Sequence, residues 1–306
     1  MVTVVGSFVV DLTSTTTHMP VPGETVLAKS FKLGPGGKGG NQAVAAARAG
    51  SQVNMITKLG DDEFGAIAIK SFKANGINID HTPITKDHPT GSAQIIVDDS
   101  GENMIVVALG ACAAITREEV FAAEEVIKKS NIVLIQLETS NEAIKAAVEL
   151  ANKYRIPVIF NPAPYNENYP AEILPLVSYA TPNETEAGSM AGVTISDNES
   201  ALLAASKIKD MGVKTVIITL GKNGCLIYNK SDDYSFVPSF KVEVIDTTGA
   251  GDAFNGGLAH ALEKGMDINR AAHFANAVAA LSVTKFGTAP SMPTEAEIKE
   301  FLQKHE

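Results

Sequence analysis

Cysteine is scarce in this chain of 306 residues: Cys112 and Cys225 are the only two, far apart and without metal-ligand spacing. They read as reduced, packed thiols, not as a disulfide, a metal site or a nucleophile. Positive charge is also in short supply, with 25 basic residues against 35 acidic ones and a formal charge of −10. That balance argues against a general nucleic-acid or anionic-membrane surface, so any bound phosphate must be held by a local site. No apolar run approaches the length that spans a bilayer, and Met1–Gly6 carries no basic region, so a cytoplasmic protein with no membrane partner is expected. Internal repeats and low-complexity linkers are absent too. With 45% apolar residues, the chain can bury one large α/β core, alone or with a small appendage.

Glycine is what the sequence concentrates. The stretch Asp246-Thr-Thr-Gly-Ala-Gly-Asp252-Ala-Phe-Asn-Gly-Gly257 follows the alternating run Phe240–Ile245, which reads as a strand, and precedes Leu258–Lys264, which reads as a helix. At such a junction the first backbone N–H groups have no intrahelical acceptor, and glycines let an anion approach them. Asp252 lies in the same first turn. Free N–H donors beside a carboxylate suit transfer of an anionic group to a hydroxyl that loses its proton. A small-residue helix start needed only for close packing is the alternative at this point.

Earlier in the chain, Val2–Val5 reads as a buried first strand that ends by presenting Asp11, either a ligand contact or a turn cap. Glu24–Leu33 alternates like a half-exposed strand. The glycine cluster Gly34–Asn41 then feeds a helix of strong formers from Gln42 to Ala49. Gly34, Gly36 and Gly39 fit G-x-G-x-x-G, with Asp61 at the distance of a ribose-binding acid, so an NAD-binding oxidoreductase is a rival reading. Against it, the cluster does not follow the first buried strand, and Lys38 occupies the turn that should approach pyrophosphate. Gly39 after the lysine excludes a Walker A loop. Ser92–Val97 and Asn103–Val107, joined by a polar turn, read as a hairpin that could form a small separate sheet with residues 24–33, suited to a lid or a dimer surface.

From Thr116 the pattern is regular: helix to Lys129, strand 132–136, helix 140–153, strand 157–160, helix 200–211 and strand 214–219. Repeated βα units imply a mostly parallel sheet covered on both faces. Glu138 and Asn161 follow strand ends. Asn183, Glu184 and Glu186 stand at a helix start, where capping and metal binding are both open. Thr219, Gly221 and Gly224 form a third glycine turn, and Asn269–Lys285 reads as one small-residue helix.

Taken together, Gly36-Gly-Lys-Gly-Gly-Asn-Gln-Ala-Val-Ala-Ala-Ala47, Asn183-Glu-Thr-Glu186, Thr219-Leu-Gly221 and Asp246-Thr-Thr-Gly-Ala-Gly-Asp-Ala-Phe254 resemble, in order and over nearly the full length, the ribokinase-like family of ATP-dependent sugar kinases. The resemblance implies a single α/β domain over residues 1–306: a three-layer sandwich with a mostly parallel central sheet and a small β-sheet lid from about residues 12–35 and 90–110. It implies that Asp252 is the base for the 5-hydroxyl of a pentose, and that Gly249, Ala250 and Gly251 form the anion hole. Asp11, Gly37, Lys38, Asn41 and Glu138 would bind the sugar. Asn183 and Glu186 would hold phosphates and Mg²⁺, while Thr219, Gly221, Gly224 and Asn276 would line the ATP site. Asp246, Thr248, Ser282, Lys285, Gly287 and Ser291 match a monovalent-cation site, so K⁺ is an expected activator, and a homodimer through the lid sheet is the expected assembly. Two positions depart from the family. Val9 and Cys112 stand where asparagine is usual, and an apolar Val9 cannot pair with a hydroxyl, which keeps 2-deoxyribose open as the substrate in place of ribose.

Overall fold

A computed structural model describes the chain from Met1 to His305. β1 (Val2–Val5) enters the core, β2 (Val9–Thr15) and β3 (Ser30–Gly36) leave it as an antiparallel pair, and α1 (Lys38–Arg48) returns. β4 (Val53–Ile56) is followed by the short β5 (Leu59–Gly60), α2 (Glu63–Ala74), β6 (Ile84–Thr85) and the hairpin of β7 (Thr90–Val97) and β8 (Asn103–Gly110). Next come α3 (Arg117–Phe121), α4 (Glu124–Lys128), β9 (Ile132–Gln136), α5 (Asn141–Lys153), β10 (Val158–Asn161), β11 (Tyr179–Ala180), α6 (Glu184–Ala191), α7 (Asn198–Asp210) and β12 (Thr215–Thr219). β13 (Cys225–Lys230), β14 (Asp233–Val237), α8 (Ala250–Glu263), α9 (Ile268–Ser282) and α10 (Glu295–His305) complete the chain.

The core is an eight-stranded sheet in the order β14-β13-β12-β11-β10-β9-β1-β4, parallel except for the two pairings of β13. Alternate residues of its strands enter two separate apolar layers. Val133 and Ile135 of β9 pack with α3 to α7, whereas Ile132 and Leu134 pack with α1, α2, α8 and α9. Period-2 alternation between two apolar faces is what a strand covered on both sides requires, and it makes the expected three-layer sandwich.

The second sheet is four-stranded, β3-β2-β7-β8. It contains the two runs expected at residues 24–33 and 92–107, and also β2, which was not expected. The chain breaks out of the core at Gly6–Phe8, so Asp11 sits on this small sheet and not at the end of the first core strand. Pairing in β3 covers Ser30–Gly36 instead of residues 24–33, because Gly34–Gly36 stay extended against Val9–Asp11.

Other expectations are corrected. Phe240–Ile245 alternates but is no strand. It finds no sheet partner, Val244 and Ile245 are exposed, and its last backbone N–H groups turn to the Val283 carbonyl. The helix expected to reach Lys129 is two short ones, α3 and α4, and the helix expected to reach Lys285 ends at Ser282. β13 and β14 close one edge of the core sheet without having been anticipated.

Candidate active site

The two glycine-led helices are packed against each other, and that packing builds the site. On α8, a Cβ at Gly256 would collide with Ala45 and with the Gln42 carbonyl of α1, so glycine alone permits the approach. The contact carries Asn41 and Gln42, in the first turns of α1, to Asp252, in the first turn of α8. Asn41 Nδ2 donates to Asp252 Oδ2 at 2.9 Å, and Gln42 Nε2 donates to Asp252 Oδ1 at 2.9 Å. Asp252 is buried, and both its oxygens are oriented by neutral amides that stabilise the anion without competing for its proton.

α8 starts at Gly249, whose left-handed φ of 79° favours glycine. No side chain caps this end. Of the three residues expected to supply N–H groups, Ala250 is engaged, donating to the Thr247 carbonyl at 3.2 Å. Among the described residues, the N–H groups of Gly249, Gly251 and Asp252 have no acceptor, and no heavy atom lies within 4 Å of the position a Gly251 Cβ would take. These amides face a cleft of about 180 Å³ lined also by Lys38, Asn161, Thr181, Asn183, Glu186 and Thr219. It is a positive helix end opening on a polar cavity, suited to an anion.

Lys38 joins the two halves. Its backbone N–H donates to Glu138 Oε2 at 2.8 Å, and Ser7 Oγ donates to the same oxygen at 2.6 Å, while its ammonium lines the phosphate-sized cleft. Burial works against the ammonium, but the charges of Asp252, Glu138 and Glu186 outweigh it and hold its pKa above the ordinary lysine value. Glu186 is shifted up by burial, with the Asp252 charge adding to it, while the Asn183 N–H and Lys38 oppose the shift. A half-buried carboxylate under that strain fits a cation. Among the described residues no three His, Cys, Asp or Glu side chains converge, so Mg²⁺ at Glu186 and Asn183 would take most of its shell from phosphate and water, as this ion readily does. Asn183 and Glu186 also cap α6 reciprocally, Asn183 Oδ1 accepting from the Glu186 N–H at 2.8 Å and Glu186 Oε2 from the Asn183 N–H at 2.9 Å. Capping and cleft lining, open alternatives in the sequence, coexist.

On the other side lies Asp11. Burial, with the charges of Glu138 and Asp252, pushes its carboxyl up to about 6, opposed by a hydrogen bond from Thr288. Gly36 packs against this carboxylate, leaving no room there for a Cβ, and Gly37 abuts the backbone of Phe8 and Val9. Val9 is buried two residues before Asp11, on the same face of β2, and pairs with Gly36. Of the residues expected to bind a sugar, Lys38 is bonded to Glu138 and Asn41 to Asp252, and Asp11 lies near enough to feel both of those carboxylates.

The remaining predicted residues fall in two groups. Thr219 bridges to Asn183 and lines the cleft. Gly221, Gly224 and Asn276 do not line it. Gly224 and Asn276 both adjoin Val237–Ser239, Asn276 Nδ2 donating to the carbonyls of Val237 and Pro238 at 3.2 and 3.1 Å, so its amide N–H groups serve the fold. In the other group Asp246 accepts from the N–H groups of Thr248 and Gly287, both at 2.9 Å, tying the start of the glycine stretch to the Gly287 turn. Ser291 Oγ donates to the Thr288 carbonyl within it, Ser282 Oγ turns back to Ala279, and the Lys285 side chain pairs with Glu297, leaving Ser282 and Lys285 only backbone carbonyls to offer. Sequence reasoning missed Gln42 and Thr288 as site residues, although Gln42 directly follows the Gly36–Asn41 motif. The dinucleotide reading loses its basis: Gly34 and Gly36 belong to lid strand β3, and Asp61 is exposed beside Lys86.

The model of the pfkB family carbohydrate kinases matches residues 1–295. A ribokinase of Bacillus subtilis is 42% identical over 98% of both chains, and a deoxyribokinase of Salmonella typhi is 37% identical over 100% of this chain and 99% of its own. The solved structure of an Arabidopsis thaliana ribokinase complexed with ribose and ATP superposes with a TM-score of 0.93 at 29% identity, covering 99% of this chain and 98% of that one.

Proposed function

The chain belongs to the pfkB family of carbohydrate kinases, which transfer phosphate to an alcohol group, and from that premise we propose that it moves the γ-phosphate of ATP to the 5-hydroxyl of D-ribose. The observation that carries this reading is the placement of Asp252, a buried carboxylate fixed by two amides in the same helical turn as the unpaired N–H groups of Gly251 and Asp252.

Asp252 accepts the proton of the attacking hydroxyl. In a loose phosphoryl-transfer transition state that proton leaves late, so an ordinary carboxylate suffices. The N–H groups of Gly249, Gly251 and Asp252, with the Lys38 ammonium, face the oxygens of the transferring group, where charge develops. Asp11, Glu138 and Asn41 accept and donate to the sugar hydroxyls and orient them. Mg²⁺ held at Asn183 and Glu186 neutralises phosphate charge when bound, and K⁺ is proposed at the Asp246–Gly287 loop. The Thr219–Gly224 turn and the Val237–Ser239 segment beside Asn276 support the nucleotide. The lid sheet covers the sugar by carrying Asp11 over it. Its face away from Asp11, with Phe31, Leu33, Met104 and Val106 exposed beside two unpaired edges, is proposed to pair with a second copy. An ATP-consuming kinase works where ATP is supplied, so a cytoplasmic location belongs to the same proposal; no helix among the described residues is long and apolar enough to cross a membrane.

Val9 favours a second reading, 2-deoxyribose, because a sugar lacking the facing hydroxyl leaves nothing unpaired against it. A coupled assay of ADP release over ribose, 2-deoxyribose, fructose and a nucleoside, with and without K⁺, separates these. Turnover of a pentose dependent on Mg²⁺ is the expected result, and no sugar-dependent turnover would refute the reading.

A further inference from the structure

Beneath Asp252 lies a chain of amides, of which Gln42 and Gln136 do not line the cleft. Gln136, the last residue of β9, and Gln42 are fully buried. Gln136 Nε2 donates to Gln42 Oε1 at 2.7 Å. Gln42 Nε2 in turn donates to Asp252 Oδ1 at 2.9 Å and to Asn161 Oδ1 at 3.0 Å. Asn161 Nδ2 ends the chain on the backbone carbonyl of Thr181, at 3.0 Å. β9 and β10 hold Gln136 beside Asn161 in register, so both anchors sit on the rigid sheet.

A primary amide is nearly symmetric in shape, and nothing in its own structure decides whether nitrogen or oxygen faces Asp252. Here the decision is made from outside. The Thr181 carbonyl can only accept, so Asn161 must turn its nitrogen there and its oxygen to Gln42. Gln42 must then present nitrogen toward Asn161 and Asp252, and its remaining oxygen takes the Gln136 donor. A reversed Gln42 would set an amide oxygen against the carboxylate, repelling the anion and turning it away from its working orientation. Gly6 makes room for the arrangement: a Cβ at that position would overlap Gln136 Oε1, itself without a partner among the described residues.

We infer that Gln42, locked by Gln136 and Asn161, is the positioning residue of the base, setting the carboxylate plane of Asp252 so that it meets the sugar hydroxyl in line with the phosphoryl group. The inference rests on the kinase reading above. It predicts that damage to the chain appears in kcat and not in sugar binding, because Asp11, Glu138 and Asn41 are left in place.

Steady-state kinetics on the full chain test it. Gln42→Met removes the donor to Asp252 and should lower kcat about 10- to 100-fold, the range expected of a misplaced catalytic group, with the KM for sugar within about threefold of the parent. Gln136→Glu, nearly isosteric, replaces the donor by an acceptor, pulls the Gln42 nitrogen away from Asp252, and should lower kcat in the same way without touching the cleft. Gln136→Met, uncharged and similar in size, should give a smaller loss because Asn161 still orients Gln42, and it carries the test if the buried charge unfolds the protein. Thermal melts establish that each variant is folded. Folded variants with kcat within twofold of the parent, or with kcat and sugar KM worsening together, would overturn the assignment while the parent's turnover keeps the kinase reading intact. A parent inert toward every sugar would overturn both.

Discussion

Asp11 and Thr288 stand 277 positions apart and are joined by a 3.2 Å hydrogen bond from the Thr288 hydroxyl to Asp11 Oδ2. The same hydroxyl lies 3.2 Å from the Pro35 carbonyl of β3, so Thr288 touches two adjacent strands of the lid, β2 and β3. It follows directly on Gly287, which donates to Asp246. The loop proposed to hold a cation is thereby in contact with the carboxylate proposed to hold the sugar.

That contact has a pH signature. In the proposed role Asp11 accepts sugar hydroxyls best when ionised, and burial pushes its pKa up to about 6. As pH falls through that value, kcat/KM for the sugar should drop, and above it the value should level off. Removing the donor in Thr288→Val raises the carboxyl further, which moves the acidic limb to higher pH, and should raise the sugar KM by about tenfold, in line with a hydrogen bond to a charged group. A pH profile identical in parent and variant would show that Thr288 does not act on Asp11.

Asp252→Asn keeps the size of the proposed base and removes its proton affinity. Turnover should fall by at least about 10²-fold, the lower end for a general base, while calorimetry shows the sugar still bound. Retained turnover in this variant is incompatible with the mechanism.

Val9→Asn restores an amide two residues before Asp11. The ratio of kcat/KM for ribose over 2-deoxyribose should rise about tenfold or more, the worth of pairing one otherwise buried hydroxyl. Competition assays with both sugars measure it directly, and an unchanged ratio would place the 2-hydroxyl elsewhere.

Val106→Asp puts a charge on the outer lid strand β8, where Val106 is 67% exposed. Sedimentation should give a dimer for the parent and a monomer for the variant. Equal masses for the two would remove this surface from the assembly.

Much of this was legible in the sequence, and particular residues show where legibility stops. Alternating βα units predicted the layered core because period and turn chemistry act over a few residues, and the two glycine-to-helix junctions identified α1 and α8 for the same reason. Phe240–Ile245 has the same alternation as a true strand, yet pairing requires a free neighbouring edge, which no local pattern encodes. β2 was hidden because Gly6–Phe8 is a short break between two similar apolar runs. Gln42 sat in plain view beside Asn41, but its importance depends on Gln136, Asn161 and Asp252, each supplied by a different element.

By itself the sequence determined the chemistry available: a carboxylate in a glycine-rich helix start, a second glycine turn with lysine and asparagine, and an acidic surface that leaves phosphate to a local site. Tertiary structure alone decided which groups meet. Asp252 becomes a carboxylate oriented by two amides only because Gly256 lets α1 and α8 close on each other, and Asp11 becomes a buried carboxylate only because β2 leaves the core for the lid. Both outcomes depend on contacts between segments remote in the chain, where steric fit and desolvation operate on groups that local pattern cannot relate.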